Sequence, residues 1–548
     1  MNKTVCYSDF GAKGDGISND FEALLAAHDY ANEHHLPVVA ESGKSYRITT
    51  TEKDGIARTV IIKTPTDWCG ATIIVDDTDI AHADGKERDF NSPVFRVESY
   101  EQRVEISNEV IATLPKITTE TKKLDLGLGY PALAVFYNDD ERHYIRFGAN
   151  ANQGSPQHEL VILDKDGNLD PMTPFMYDYK KVTRIEAIRI DLEPLVIKNG
   201  TFLQRASRVD TVKHLPDGTV KNKNLSYFIR NVIISRSNTT IKNVNHYIEG
   251  EISVEDQAKG VFGPAYRGFF HPYFANNVVL EDCELTARRY YRPGTYGYSA
   301  DLANNIVLRN CTQSNFYKKD ENGNLTNILS MEDSPVTGKL EYWGLGGTHF
   351  CKNMIYENCE VSRFDAHQGL CNGRISNCHI TMINLIGCGE MIIENSRLEI
   401  KDECLINLRQ DYGSTWRGNI KIKNCTLDPN EVIKPKKQLM IFNHIWNNHY
   451  FGYDCYFPSV EIDNLKLTKP HLAPIHLFGT TKSNSTASER NLHLATLSDG
   501  TPNNNPIVPP KSFKVINNEQ GLAFDVADIP FVENTELVGI EKVSLNKE

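Results

Sequence analysis

Hydrophobic and polar positions alternate along the central part of the chain in short runs that all end alike. Each run has the apolar–polar alternation of a half-buried strand and closes on Asn-Cys or a near equivalent. The runs end at Gly200, Val244, Cys283, Cys311, Cys359, Cys378, Ser396, Cys425 and Leu465. A chain that repeats one strand phrase every ~20 residues or more, without a helical period, is typical of a parallel β-solenoid. The pattern therefore predicts an all-β fold, a right-handed parallel β-helix, with its core over residues 191–470.

The segments outside this core are predicted to form further elements attached to the solenoid. Residues 21–33 carry apolar side chains at helical spacing after Asn19 or Asp20, either of which can cap a helix. Residues 1–100 are therefore interpreted as an entry segment with a capping helix. Residues 101–190 predict strands joined by Asp/Gly turns and are interpreted as a small inserted β-domain. Residues 471–548 lose the strand phrase and predict a C-terminal cap or tail.

The cysteines follow the repeat rather than a redox or metal pattern. Of the 12 cysteines, those that close a strand phrase are Cys283, Cys311, Cys359, Cys378 and Cys425. Small residues at one coil position pack on their counterparts in adjacent coils, so buried thiols are expected instead of disulfides or metal ligands. No Cys-x-x-Cys pair occurs, and neither a metal site nor a cofactor is predicted.

Composition excludes several classes of partner. The 548 residues include 59 basic and 71 acidic side chains and carry a net charge of -12, which argues against a nucleic-acid partner. No apolar run of about 18 residues is present, so no membrane span is predicted. Residues 1–10 lack the pattern of a signal peptide. An extracellular or periplasmic location is expected only if such a segment has been removed.

The entry segment resembles that of the pectate-lyase-like right-handed β-helix superfamily. The resemblance rests on Ser8–Asp20, Tyr46 and Thr66–Asp77. The stretches Gly294–Gln313 and Trp343–Asn372 resemble an uncharacterised carbohydrate-active branch of the same superfamily. That superfamily includes polysaccharide lyases, glycoside hydrolases, epimerases and phage tailspikes. The resemblance implies a polysaccharide or oligosaccharide as partner, and both a monomer and a homotrimer are compatible with it.

The motifs of the better-known branches are incomplete in this chain. The NTD, DD, GHG and RIK set of polygalacturonase-type hydrolases is missing, and Asp139-Asp140 falls in the predicted inserted domain. Phe364–His367 matches the FD-x-H core of mannuronan epimerases. Ser362 and Arg363 precede that core, however, and the Tyr of the epimerase motif is missing. The resemblance therefore implies a class of substrate and leaves the reaction open.

Polar residues at one position of successive coils predict a site. Asp301, His349 and the His367/Gln368 pair precede their strand phrases by nearly the same number of residues. Strands of adjacent coils lie about 4.8 Å apart, so these side chains should line one face. Asp365 lies two residues before His367 and should point the same way. We predict that Asp301, His349, Asp365 and His367 are catalytic and that Gln368 binds substrate. The alternative is that Asp-x-His stabilises a turn.

Further residues are predicted to bind the glycan. Arg289 and Arg292 could hold a uronate carboxylate, and Arg409 is a third candidate of this type. Tyr296 and Trp343 could stack on sugar rings, although loop aromatics also fill loop cores. The arginines could equally belong to a solvated loop. Candidates of second rank are His271, Glu332, Asp333, Glu390, Asp411 and His444.

Three functions are compatible with these residues. A glycoside hydrolase is the first, with Asp301 and Asp365 as its carboxyl pair, ~5 Å apart for retention or ~6.5 to 9.5 Å apart for inversion. The second is a uronate polysaccharide lyase or epimerase, with His349 or His367 as the base. The third is a non-catalytic glycan-binding protein of the tailspike type.

Overall fold

Most of the chain folds into stacked coils of parallel strands. The structure is a computed structural model, and it describes residues 4–80, 92–147, 151–207, 212–214, 220–222, 229–251, 267–286, 297–314, 316–319, 325–328, 346–400, 403–429, 439–443, 449–479, 496, 500–516, 522–524, 534–537 and 540–542. Successive coils pair in parallel, each strand with its counterparts one coil before and one coil after. This arrangement confirms the expected parallel β-helix.

The strands of the coils form long parallel stacks. The first stack, which holds the repeated phrase, contains Val38–Val39, Thr66–Asp76, Leu195–Arg205, Thr239–Glu251, Asn276–Glu281, Asn304–Arg309, Thr348–Glu357, Glu360–Ser376, Gly387–Glu394, Trp416–Pro429, Ser459–Leu467, Ser512–Ile516 and Asn534–Leu537. The second adds Asp15–Asn19, Ser45–Ile48, Glu284–Thr286, Thr312–Ser314, His379–Asn384, Arg397–Ile400, Cys404–Asn407, Met440–Asn443, Ile475–Gly479, Leu522–Phe524 and Ile540–Lys542. The third contains Val60–Ile62, Phe95–Glu98, Val232–Ser235 and Phe270–Pro272. The short strand Ala300–Asp301 pairs with Thr348 and His349 of the first stack.

The turn at the end of each repeated phrase is built around a left-handed Asn or Asp, the residue before the last one of the phrase. The φ angles of these residues lie between 50° and 59°, a conformation that Asn tolerates better than most residues. They are Asn199, Asn243, Asp282, Asn310, Asn358, Asn377, Asn395, Asn424 and Asn464. Side-chain amides bond from coil to coil, as in Asn358 to Asn310 at 3.2 Å and Asn464 to Asn424 at 3.0 Å. The phrase cysteines beside these turns are buried thiols, as predicted.

A continuous apolar core fills the coils. It runs from Val5 to Leu522 and includes the buried Trp68 and Trp416. The helix Phe21–His34 packs its apolar side against the first coils, at the place where a capping helix is predicted. Asp20 stands at the N-cap, but its carboxylate accepts bonds from Lys13 N at 2.8 Å and from Gly14 N at 3.2 Å instead. Among the described residues, no helix is long and apolar enough to cross a bilayer.

Residues 104–189 form an antiparallel sheet beside the coils. Its strands, in spatial order, are Ser155–Leu163, Ala132–His143, Arg184–Arg189 and Val104–Glu105. One face of the sheet packs on the helix Asn108–Thr113 and its own core, which includes Phe136 and Phe175. The other face packs Leu133 and Leu160 on Phe274 and Leu302 of the coils. The domain boundaries at 101 and 190 stay a prediction.

Smaller elements complete the described residues. Antiparallel pairs join Glu52–Lys53 to Ile56–Ala57, Val212–His214 to Val220–Asn222, and Phe316–Lys319 to Leu325–Ile328. Short 3₁₀ turns cover Tyr7–Phe10, Gln410–Tyr412 and Pro470–Leu472. The turn at Gln410–Tyr412 matters most, because it carries residues of the site described below.

Breaking a buried amide ladder should destabilise the coils. Asn304 donates to Asn276 at 2.8 Å and accepts from Asn353 at 2.7 Å, and it is almost fully buried. Asn304→Leu leaves an acceptor on one coil and a donor on the next without partners. We expect the free energy of unfolding to fall by about 2–4 kcal/mol, measured by urea denaturation.

The matched control is Asn358→Gly. It removes an exposed ladder amide and keeps the left-handed backbone, so it should change stability by less than about 1 kcal/mol. Equal losses for the two variants would contradict a specific role for the buried amides.

Candidate functional site

The pairing of the coils aligns the predicted polar positions. Tyr273 pairs with Asp301, Asp301 with His349, and His349 with Gln368. The register slips between Thr348 and His349, so that His367 is an extra residue in its strand. Such a bulge redirects side chains locally. The row therefore contains Asp301, His349 and Gln368, and His367 stands beside it.

Asp301 is a carboxyl group with an unusual affinity for its proton. Its side chain is 23% exposed, and Arg267 Nη2 lies 3.6 Å from its Oδ2. Burial raises the pKa of Asp301 to about 7, against the smaller lowering effects of Arg267 and of the Leu302 amide. Asp301 can therefore hold or release a proton near neutral pH.

Two imidazoles follow Asp301 along the row. The ring centroids of His349 and His367 are 5.0 Å apart. Burial and the neighbouring His367 hold the pKa of His349 well below its usual range. Burial and Arg409 lower the pKa of His367 to about 4. Both rings are therefore neutral at pH 7, and a neutral imidazole can accept or donate a proton through its two nitrogens.

Asp365 lies beneath the site and does not reach solvent. Its side chain is 0% exposed, forms an ion pair with Arg363, and lies 3.5 Å from Arg409 Nη1. Burial alone would raise the pKa of Asp365, but Arg363 and Arg409 outweigh it and hold the pKa well below its usual range. The predicted direct contact between Asp365 and a glycan is therefore not available in this structure. Asp365 instead forms ion pairs with Arg363 and Arg409.

Arg409 contacts both the buried Asp365 carboxylate and the partly exposed Asp411. It makes a bidentate pair with Asp411, with Nε–Oδ1 at 3.0 Å and Nη2–Oδ2 at 2.8 Å. Its Nη1 donates to Nδ1 of His367 at 3.2 Å. Because arginine can only donate, this bond assigns the proton of neutral His367 to Nε2. His367 thus presents an N–H group rather than a free lone pair.

The inserted sheet contributes its own residues to the site. Arg146, which follows the strand Ala132–His143, pairs with Asp411 and lies 4.5 Å from the ring centroid of Tyr412. The Tyr412 hydroxyl accepts from Gln368 Nε2 at 3.1 Å. No repeat pattern could have indicated Arg146, since it reaches the site from outside the coils.

Among the residues that the structure describes, positive charge exceeds negative charge at the site. The described arginines around it are Arg146, Arg267, Arg363 and Arg409. Asp365 and Asp411 have lowered pKa values and stay ionised, whereas Asp301 is protonated below about pH 7. The arrangement therefore suits an anionic group on a ligand. Among the described residues, no cluster of three His, Cys, Asp or Glu is placed to hold a metal ion.

The other predicted residues divide into two groups. Arg289, Arg292, Tyr296, Trp343, Glu332, Asp333 and His444 lie outside the described residues. His271 is buried, with its Nδ1 2.8 Å from the Ser299 hydroxyl, and Glu390 lines a different groove. Sequence reasoning missed Arg267 and Arg146. It placed Asp411 only in second rank, although Asp411 follows Arg409 by two positions.

Sequence comparisons find nothing similar, whereas structure comparisons do. No family model matches the chain, and no curated protein matches it. The tailspike gp61 of Pseudomonas phage phi297 has 10% identity and a TM-score of 0.49, covering 97% of this chain and 84% of its own. The Gp54 tailspike of Acinetobacter baumannii bacteriophage AP22, solved with a capsular saccharide, has 8% identity and a TM-score of 0.49, covering 99% and 74%. Identities of this size say nothing about which residues act.

The raised pKa of Asp301 predicts a pH-dependent stability difference. In the folded protein the pKa of Asp301, about 7, lies above the ordinary value of about 3.9. The protonated Asp301 carboxyl therefore stabilises the folded state fully below about pH 4, and this contribution is lost as the pH rises from 4 to 7. Relative to Asp301→Asn, the wild-type protein should lose on the order of 4 kcal/mol of unfolding free energy between pH 4 and 7. Urea denaturation at several pH values measures it.

Asp15 is the control for this measurement, because its pKa is lowered and its effect on stability therefore has the opposite pH dependence. Hydrogen bonds from the Ser18 and Ile17 amides lower the pKa of Asp15 to about 2. Relative to Asp15→Asn, the wild-type protein should therefore gain stability as the pH rises from 2 to 4. A flat Asp301 difference beside a rising Asp15 difference would show that Asp301 titrates normally.

Proposed function

We propose that this protein cleaves an acidic polysaccharide by elimination, with His349 as proton acceptor and Asp301 as proton donor. The observation that carries the proposal is the direct pairing of these two residues on neighbouring strands. One is an acid with a pKa of about 7, and the other is a neutral imidazole. A pair with pKa values pushed in opposite directions provides one acid and one base at the same pH.

The proposed reaction uses each group once. His349 takes the proton from the sugar carbon beside the uronate carboxylate. The electron pair forms a carbon–carbon double bond, and the bond to the glycosidic oxygen breaks. Asp301 gives its proton to that leaving oxygen. The Nε2–H of His367, oriented by Arg409, and the positive charge of Arg267 stabilise the negative charge that develops on the carboxylate.

Elimination fits the described residues better than hydrolysis does. A hydrolase needs two carboxyl groups at the scissile bond, about 5–9.5 Å apart. Asp365 is fully buried, so the pair of Asp301 and Asp365 lacks an accessible second member. Asp411 is an ionised carboxylate whose side chain is 33% exposed. A hydrolase that uses Asp301 and Asp411 is therefore the second candidate.

Replacing the acid or the base should abolish cleavage. We expect Asp301→Asn and His349→Ala to lower kcat about 10²–10⁴-fold, because each removes a proton-transfer group. Ultraviolet absorbance of the unsaturated uronate product measures the rate in a screen of alginate, pectate, hyaluronate and bacterial capsular polysaccharides. The control variant Asp166→Asn changes an exposed turn outside the row and should keep full activity.

Three outcomes of this screen would contradict the proposal. Saturated products, with activity lost in Asp411→Asn as well as in Asp301→Asn, would identify a hydrolase. Retention of a polysaccharide without turnover would identify a binding protein of the kind that the fold also permits. Full activity in His349→Ala would exclude this base.

The pH dependence of kcat/KM should reflect the protonation of Asp301 and the effect of Arg267 on its pKa. Because Asp301 must be protonated, kcat/KM should fall above about pH 7. Arg267 lowers the pKa of Asp301, so Arg267→Gln should move this alkaline limb to higher pH. A pH–rate profile measures both effects. An alkaline limb that stays in place in Arg267→Gln would exclude Asp301 as its origin.

A further inference from the structure

A second groove lies on the same coils as the candidate site. It has a volume of about 1090 Å³, slightly above the range typical of ligand sites. One wall comes from successive coils and includes Asn276 and the buried Asn304 and Asn353. The opposite wall comes from the inserted sheet and its loops, at 119–120 and 170–175. Because Asn304 follows Asp301 by three residues, the groove is separated from the candidate site by one bend of the coil.

Side-chain amides in two rows line the coil wall. In the first row, Asn304 donates to Asn276 at 2.8 Å and Asn353 donates to Asn304 at 2.7 Å. In the second row, Asn305 donates to Asn277 at 3.1 Å. These residues define what we call the amide groove: Asn276, Asn277, Asn304, Asn305 and Asn353. The rows repeat at the spacing of the coils, about 4.8 Å.

Asn277 and Asn305 keep hydrogen-bonding capacity after the ladder bonds are made, whereas the Asn353 amide donates both to Asn304 and to the Met172 carbonyl. Each side-chain amide has two N–H donors and an oxygen that can accept two hydrogen bonds. A ladder bond to the coil on each side uses one N–H and one lone pair of the oxygen. Asn277 donates to Asn238 at 2.6 Å and accepts from Asn305, which leaves it a second N–H and a second lone pair. Asn277 thus offers both a donor and an acceptor, which suits hydroxyl groups.

The inserted sheet borders the groove without filling it. The Met172 carbonyl accepts from Asn353 Nδ2 at 2.8 Å, and the Met176 carbonyl accepts from Arg417. These two contacts fix the wall at the far end of the amide rows. The side chain of Met172 is 55% exposed and, with Pro171, adds an apolar surface to the groove. Sugar rings present both hydroxyl edges and apolar C–H faces, and this lining offers partners for both.

Among the described residues, the groove is lined by three carboxylates, Glu120, Asp170 and Glu390, and by two arginines, Arg374 and Arg417, so it lacks the positive excess of the candidate site. Arg374 pairs with Glu394, and Glu390 pairs with Lys421. Glu120 and Asp170 stand on the opposite wall, where an anionic ligand would meet their carboxylates. The lining therefore favours an uncharged ligand.

We infer that the amide groove is a second glycan-binding site, specific for an uncharged, hydroxyl-rich oligosaccharide stretch. It holds the polymer through the amides of Asn277 and Asn305, which lie away from the Met172 contact. Binding there does not depend on Asp301 or His349, so the site operates whether or not the protein cleaves its ligand.

A pair of matched double variants tests this inference. Asn277 and Asn305 have φ angles of 59° and 49°, which glycine adopts without strain, so Asn277→Gly/Asn305→Gly removes two groove amides and keeps the backbone. The control Asn310→Gly/Asn358→Gly removes two exposed ladder amides with φ angles of 53° that do not line the groove. Circular dichroism is used to check that both variants are folded.

Affinity electrophoresis provides the readout, in gels that contain dextran, galactomannan, xyloglucan or mixed-linkage β-glucan, with alginate as the acidic polymer. We expect at least one neutral polymer to retard the wild-type protein, Asp301→Asn and the control variant equally. The groove variant should bind that polymer about tenfold more weakly, because it loses two sets of hydrogen bonds.

Each remaining outcome overturns the inference. These outcomes are no retardation in any of the four neutral gels, equal weakening in the groove and control variants, and retardation by alginate alone. Turnover is not measured in this experiment. A failure of the proposed elimination is therefore distinguishable from a failure of the second binding site.

Discussion

The in-register stacking of one coil on the next is the constraint on which the rest of the structure depends. Parallel strands have a side-chain period of two, so a slip of one residue would turn every buried side chain toward solvent. The left-handed Asn turns and the buried amide bonds between coils, such as Asn304 to Asn276, hold the coils against that slip. The same register that buries the core also places Asp301 beside His349.

The chemistry of the site results from charges buried beneath it. Asp365 stays ionised in the core because Arg363 and Arg409 surround it, and a buried charge of this kind needs such partners. Arg409 then directs an N–H group at His367, which settles the tautomer of that ring. The inserted sheet completes the arrangement through Arg146, whose partner Asp411 also holds Arg409. In the described part of the chain, one side of the coil thus has excess positive charge, whereas the lining of the neighbouring amide groove does not.

Counting along the repeats predicted much of this arrangement. The row of Asp301, His349 and Gln368 follows from the spacing of the phrases, because each coil returns to the same position after any excursion. The counting could not separate His367 from Gln368, since a bulge is invisible in an apolar–polar pattern. Nor could it indicate that Asp365 is covered, because burial depends on Arg363 and Arg409 from two different coils.

The sequence by itself determined the class of fold, the register of the coils and the identity of the row, because these depend on local periodicity. Only the tertiary structure decided which of the polar residues reach solvent and how their pKa values shift. Those properties arise from distant residues such as Arg146 and Arg267, brought together by the inserted sheet and a separate coil. Electrostatic shifts depend on distance and burial in space, and neither quantity is recorded in the order of residues along the chain.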